Sequence, residues 1–308
     1  MIMSNRFIKM HDNIAASDNR GFGGLRGEVI FGTGRHDVEF KDPYGNYTVR
    51  SEFDKILYRD HNIVPIGAYQ FAFDKLFNIG LDAVSTLRVG DLNDEAPMMN
   101  IGVPRANYKS TEYKSETNGT NSIDGVNISA LNYIFGFMIG DGGAREDNIT
   151  AIAPDYKNRS LYRAIPFRIG EIGNNDIDET KYFGKITSGG NVSYYIKKFD
   201  APEPRIIHAW VSNNSQELDI VDDTVFSSTS SIPIESYVEI NFSVSAKDGR
   251  GFGDTATSRV NEFALVSGWY NSEANDYEAL RIFTHFTRPS ISLGVGDSIE
   301  AIYRLYAR

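Results

Sequence analysis

Apolar and polar positions alternate most clearly in the last third of the chain. Val238, Ile240, Phe242 and Val244 fall on one side of the run 237–245, and Glu239, Asn241, Ser243 and Ser245 on the other. A period of two is the mark of a strand with one buried face. Runs at 262–269, 280–287 and 298–306 follow, the last with Ile299, Ala301, Tyr303 and Leu305 on one face. Gly, Asn, Asp and Ser fill the intervals, and Pro289 is expected to end the third run. Strands and turns at this rhythm predict an antiparallel sandwich.

Upstream the pattern is less regular. Strands are expected over 25–31, ending at Gly32, and over 36–41, followed by the turn Asp42-Pro43-Tyr44-Gly45 and a return strand over 46–50. Tyr69, Phe73, Leu76 and Phe77 recur at helical spacing after Pro65, predicting a core-packing helix near 66–77. The run 128–139 reads as a buried strand. Pro166 argues against a central strand around 161–169. Segments 182–186 and 192–199 flank Ser188-Gly-Gly-Asn191 as a hairpin, and 205–211 adds a strand.

The fold class expected is therefore mainly β: a jelly-roll-like antiparallel β-sandwich with one or two short helices and long ordered loops. Residues 1–24 read as an N-terminal arm, polar and rich in glycine, with Arg6, Phe7, Ile8, Phe22 and Leu25 as its anchoring positions. Such a segment orders on a neighbour if it orders at all. The same holds for the long excursion over 91–125. A β-rich region over 25–200 and a C-terminal sandwich region over 205–308 meet at a soft boundary, and the two are not required to be independent. The expected packing positions are Val238, Ile240, Phe242, Trp269, Phe283, Phe286, Tyr303 and Leu305.

Composition narrows the chemistry. With 308 residues the chain is long enough for a substantial core. Its net charge of −10 and the lack of any basic run beyond Lys197-Lys198 argue against a nucleic-acid partner. It has no cysteine, which removes disulfides, thiolate nucleophiles and cysteine metal sites. No stretch approaches the ~20 apolar residues of a membrane helix, and the N-terminus lacks the apolar core of a secretion signal, so synthesis in a cytoplasm and no membrane partner are expected.

Candidate catalytic and ligand motifs are sparse. His11, His36, His61, His208 and His285 show no metal-ligand spacing, and structural histidines are the plainer reading. The clusters Gly21-Phe-Gly-Gly24, Gly140-Asp-Gly-Gly143 and Gly251-Phe-Gly-Asp254 lack the Lys-Ser/Thr of a phosphate loop, and turns explain them. Acidic groups at 174–179 and 219–223 read as solvated loops rather than calcium sites. A carboxylate pair for glycan cleavage is not recognisable from sequence, although Trp210 and Trp269 are candidates for stacking on a sugar. No catalytic residue, metal ligand or cofactor is expected.

Several segments carry a likeness to known proteins. These are Tyr133-Ile-Phe-Gly-Phe-Met-Ile-Gly-Asp-Gly-Gly143, Ile165-Pro-Phe-Arg-Ile169, Tyr194-Tyr-Ile-Lys-Lys-Phe199, Pro204-Arg-Ile206 with Trp210, and Glu235-Ser-Tyr-Val-Glu-Ile240. The chain closes with Asn261-Glu-Phe-Ala-Leu-Val-Ser-Gly-Trp269, Leu280-Arg-Ile-Phe-Thr-His-Phe286 and Ile299-Glu-Ala-Ile-Tyr-Arg-Leu-Tyr306. In these segments it resembles virion structural proteins of large tailed bacteriophages. The resemblance implies a non-enzymatic particle component, located in the virion and made in the host bacterial cytoplasm. It implies homo-oligomeric contacts with copies of itself and contacts with other virion proteins. A decoration protein on the outer surface of the major capsid protein shell is the favoured position. A neck, tail or baseplate subunit is the alternative, and a carbohydrate-binding adhesin module a second one.

Overall fold

The computed structural model describes residues 25–62, 87–90, 99–101, 122–123, 126–127, 133–155, 158–171, 180–188, 190–202, 204–211, 217–218, 234–245, 248, 258–271, 276–293 and 297–307. In chain order the strands are β1 (Leu25–Lys41), β2 (Tyr47–Asn62), β3 (Arg88–Val89), β4 (Met99–Asn100), β5 (Ser122–Ile123), β6 (Val126–Asn127), β7 (Tyr133–Gly140), β8 (Ala164–Ile165) and β9 (Arg168–Glu171). They continue as β10 (Tyr182–Ser188), β11 (Asn191–Lys198), β12 (Arg205–Val211), β13 (Glu217–Leu218), β14 (Ile234–Ser245), β15 (Ser258–Asn271), β16 (Asp276–Leu293) and β17 (Ser298–Ala307). No helix occurs among the described residues. The fold class is mainly β and antiparallel, with the two-sheet make-up of a β-sandwich.

The chain divides into two compact units, neither continuous in sequence. One comprises 1–62, 199–244 and 299–308; the other comprises 63–198 and 245–298. One of the crossings, at 198/199, falls beside the soft boundary expected near 200–205. The expected arm 1–24, the helix near 66–77 and most of 91–125 lie outside the described residues. Leu25, grouped with the arm, opens β1 and pairs with Ala307 at the other end of the chain.

The first unit holds the sheet β13-β12-β14-β17-β1-β2. The two strands expected at 25–31 and 36–41 are one strand, β1, which continues through Gly32 with an irregularity between Phe31 and Gly32. Gly34 makes this passage possible, with φ at +68°, where L side chains are strained. Only the first half of β1, through Gly32, pairs with β17. Beyond it the β1–β2 hairpin continues as a two-stranded arm closed by the turn expected at 42–45, where Asp42 accepts from the N–H groups of Tyr44 and Asn46. This arm bends over its own sheet. Phe40 packs with Ile207, Ala209, Tyr237 and Tyr306, and the Tyr44 ring meets His208 edge-on.

The second unit holds the sheet β10-β11-β7-β15-β16, with β8 beside β7 and β9 beside β11. The hairpin of β10 and β11 and the flanking positions of β8 and β9 around Pro166 follow the sequence expectation. The core contains Phe135, Met138, Phe183, Ile196, Val266, Tyr277 and Leu280, and Leu87, Val89 and Ile101 from the small β3–β4 sheet pack on it. Phe135 and Tyr277 stack with ring centroids 3.4 Å apart. Pro289 does not end β16, which runs to Leu293; a bulge between Val260 and Glu262 on its partner takes up the irregularity there.

The expected packing positions divide simply. Ile240, Phe242, Phe283, Phe286 and Tyr303 are buried; Val238 and Leu305 are half-buried. Trp269 lies in β15, in the backbone register of Glu278. One expectation needs correction. The polar face of β14 does not meet solvent at its centre, because Glu239 and Asn241 are buried beneath the hairpin arm.

Candidate functional site

Two clusters of polar side chains are buried, one in each unit. In the second unit, β15 and β16 set Glu262 directly opposite Thr287 and Ala264 opposite His285. Glu262 and His285 are both 0% exposed, and the imidazole Nε2 lies 2.8 Å from Glu262 Oε1. Asn158 Nδ2 stands 3.3 Å from the other ring nitrogen. A neutral ring that donates to Glu262 and accepts from Asn158 satisfies both contacts.

The carboxylate has further partners. Its two oxygens accept the backbone N–H groups of Tyr162 and Arg163. Next to it, Asn261 accepts from Gly143 N–H and donates to the Asp141 carbonyl and the Ser290 hydroxyl. Thr287 donates its hydroxyl to the Ile152 carbonyl, and Ser290 N–H donates to the Asn148 carbonyl. Side chains of β15 and β16 therefore bind the backbone of the segment 141–163 along its length. A carboxylate and an imidazole at hydrogen-bond distance can form a general base. Here both ring nitrogens and both carboxylate oxygens are engaged within the protein, so the pair acts as a clamp on that segment.

The clamp also explains Gly140-Asp-Gly-Gly143. A Cβ on Gly140 would strike the Arg163 carbonyl, and one on Gly143 would come within 2.6 Å of the Asn261 carbonyl. These glycines provide room for two backbones to touch, whereas the sequence reading assigned them to turns. A second anchor holds β10 and β11: Lys197 Nζ is 2.9 Å and Tyr182 Oη 2.7 Å from Asp248 Oδ1. Burial alone would raise the Asp248 carboxyl. The Lys197 charge and hydrogen bond, the Ser245 N–H and the Tyr182 hydroxyl outweigh it and hold it below the usual aspartate range.

In the first unit the cluster lies between the sheet and the hairpin arm. Glu239 Oε1 accepts from Ser51 N–H at 2.7 Å and from Arg205 Nη2 at 3.0 Å, and Arg304 Nε lies 3.4 Å from Oε2. Arg205 also reaches Asp37 and the Ser51 hydroxyl, both at 2.8 Å. Asn241 donates to that hydroxyl at 2.8 Å. Nearby, Arg59 grips Glu28 with two bonds of 2.7 and 3.0 Å, and Tyr306 adds a third. Burial would raise the Glu28 carboxyl, but the bond and charge of Arg59, with Arg304 and Tyr306, keep it lowered. The Arg205 hydrogen bond does the same for Asp37.

The remaining sequence candidates do not converge. His36 is exposed near Asp54, and His208 bonds Ser236 in β14. His11, the glycine clusters at 21–24 and 251–254, and the acidic runs at 174–179 and 219–223 lie outside the described residues, as do the arm positions Arg6, Phe7, Ile8 and Phe22. No group of three metal-ligating side chains occurs among the described residues. Trp210 is buried, which withdraws it as a sugar-stacking surface. Sequence reasoning missed Glu262–His285 because its partners are 23 residues apart, and it missed the arginine–glutamate cluster because five separate strands supply it.

Compared with protein-family models, with curated proteins and with solved structures, the chain matches none.

Proposed function

We propose that this chain is a non-enzymatic structural subunit of a tailed-bacteriophage virion, a decoration protein that binds the outer surface of the capsid shell. The observation that carries the reading is how the buried polar chemistry is used. Glu262, His285, Asn261 and Asp248 in one unit, and Glu239 and Arg205 in the other, all hold the chain's own backbone or one another. This is the use of polar groups expected of a subunit that must stay rigid, and it adds to the segmental resemblance to virion proteins.

Binding to a shell works by burying apolar surface across joints between subunits. The hairpin arm and its neighbourhood offer such surface, with Tyr44, Tyr47, Ile56, Leu57 and Ile206 exposed. Where exposed apolar side chains join into one contiguous patch they mark contact sites, whereas singly scattered ones do not. The test is co-sedimentation of the purified protein with capsid shells that lack it, followed by reconstruction of the particles. Saturable binding, with new density on the shell, is expected. Density at the neck, tail or baseplate would move the protein to that layer. Saturable glycan binding without particle density would replace this reading with an adhesin.

A further inference from the structure

We propose that the hairpin arm of the first unit is exchanged between two copies of this chain. The arm of each copy lies on the sheet of the other, in the contacts it makes here with its own. Beyond Gly32, neither strand of the arm pairs with a third strand among the described residues, and side-chain contacts hold the arm to the sheet. Those contacts form a docking surface whose occupant is visible. Phe40 sits among Ile207, Ala209, Tyr237 and Tyr306. Beside that ring, Arg205 reaches Asp37 and the Ser51 hydroxyl, Asn241 donates to the same hydroxyl, and Glu239 accepts the Ser51 N–H. An apolar anchor flanked by paired polar groups is the make-up of an interface between subunits.

The arm reaches this surface only by bending out of its own sheet. From β1 it crosses β17 and β14 to β12, three strand spacings or about 14 Å. The bend falls where both strands are irregular. In β1 it lies at Gly32 and Gly34, where a Cβ would strike the Phe53 ring and the Asp54 carboxylate. In β2, Tyr58 pairs with Phe31 and Ile56 with Gly32, so Leu57 is an inserted residue. Such a bulge bends the strand that carries it. With the bend opened, residues 34–41 project about 26 Å past the sheet, at about 3.3 Å per residue. That is enough to cross the sheet of a second copy.

A second copy also covers what the hinge leaves bare. Ile56 and Leu57 are adjacent in the bulge and 52% and 57% exposed. In an exchanged pair the two hinges run past each other at the two-fold axis, so these apolar side chains of both copies meet. Within one copy, the tether gives arm and sheet an effective concentration on the order of millimolar. Exchange keeps every arm contact and adds burial at the hinge, so it is favoured as the chain becomes concentrated.

Arm exchange is independent of any particle role. The chain has no cysteine, so introduced thiols are unique. Asp37→Cys chains and Arg205→Cys chains are mixed in urea and refolded together at about 0.5 mM, close to that effective concentration. A short bifunctional maleimide is then added, and any link between residues 37 and 205 joins two copies. The ion pair removed is partly exposed and contributes little to folding, which a melting curve on each variant verifies. The double variant, refolded at about 1 μM, should be linked within one chain, which checks the reach of the reagent. Expected are dimers in sedimentation of the unsubstituted chain refolded at the higher concentration, and the 37–205 link between the mixed chains. Leu57→Glu, at an exposed position, should weaken the dimer about tenfold or more by placing charge at the buried hinge. A chain that stays monomeric at the higher concentration overturns the proposal. So does a dimer without the 37–205 link, or one undiminished in Leu57→Glu.

Discussion

Glu262 concentrates more hydrogen bonds on one buried side chain than its place in an ordinary strand suggests. It receives two backbone N–H groups and the His285 ring. Replacing it with Gln turns an NH2 toward groups that are themselves donors. Loss of about 2–4 kcal/mol is expected, because a buried polar group left facing the wrong partner bears its full desolvation cost. Chemical denaturation of Glu262→Gln measures it, and a loss below about 0.5 kcal/mol, the range of an ordinary surface substitution, would show that the clamp is incidental. Asp248 and Glu28 allow a statement about pH. Both carboxyls are lowered in the folded state, so the folded protein holds on to their charged forms more strongly than the unfolded chain does. Their stabilisation is present above the unfolded carboxylate range near pH 4 and is lost as pH falls from there through the folded values. Stability should therefore drop below about pH 4, and the drop should shrink in Asp248→Asn, as measured by denaturation midpoints across pH.

The hairpin of β1 and β2 shows what an element-level pattern can and cannot reveal. Its turn was legible at Asp42-Pro43-Tyr44-Gly45, because those residue types preset the backbone. Its reach over the sheet was not, because it depends on an irregularity after Phe31 and on contacts with Glu239, which is 188 residues from Ser51. Removing that acceptor should release the arm. In Glu239→Ala, the Ser51 amide and the Arg205 and Arg304 side chains lose a buried carboxylate, and a loss of about 3 kcal/mol is expected. Hydrogen exchange should rise over 47–55 before the rest of the sheet; uniform exchange throughout would count against a pinned arm. Gly136 sets a second element-level constraint. A Cβ there would come within 2.5 Å of the Lys197 carbonyl, where β7 meets β11. Gly136→Val should cost about 1–3 kcal/mol by forcing the two strands apart, read from the denaturation midpoint.

On the scale of the whole molecule, the two units are assembled from interrupted pieces of sequence. β17 pairs with β1 from the opposite end of the chain, and β15 pairs with β7 from its middle. A fragment of residues 205–308 therefore lacks one of the two neighbours of its last strand, β1, and one of the two neighbours of β15, β7. It should show no dispersed amide spectrum on its own, since unpaired strand edges and uncovered apolar faces leave nothing cooperative to fold. A folded fragment would refute this account of the topology.

The sequence by itself determined the class of structure and the position of most long strands. Alternation at 237–245 and 298–306, the apolar run before Gly140, and the hairpin signal at 188–191 are local properties, and a strand's period of two is written in adjacent residues. It also showed that thiol chemistry is absent, since no cysteine occurs. The tertiary structure alone decided which polar residues are inside. Glu239, Asn241, Glu262 and His285 are polar by type and buried by placement, and their partners come from distant strands. Burial of a charge becomes tolerable only when those partners meet it, and that meeting is set by strand order and register rather than by any neighbouring residue.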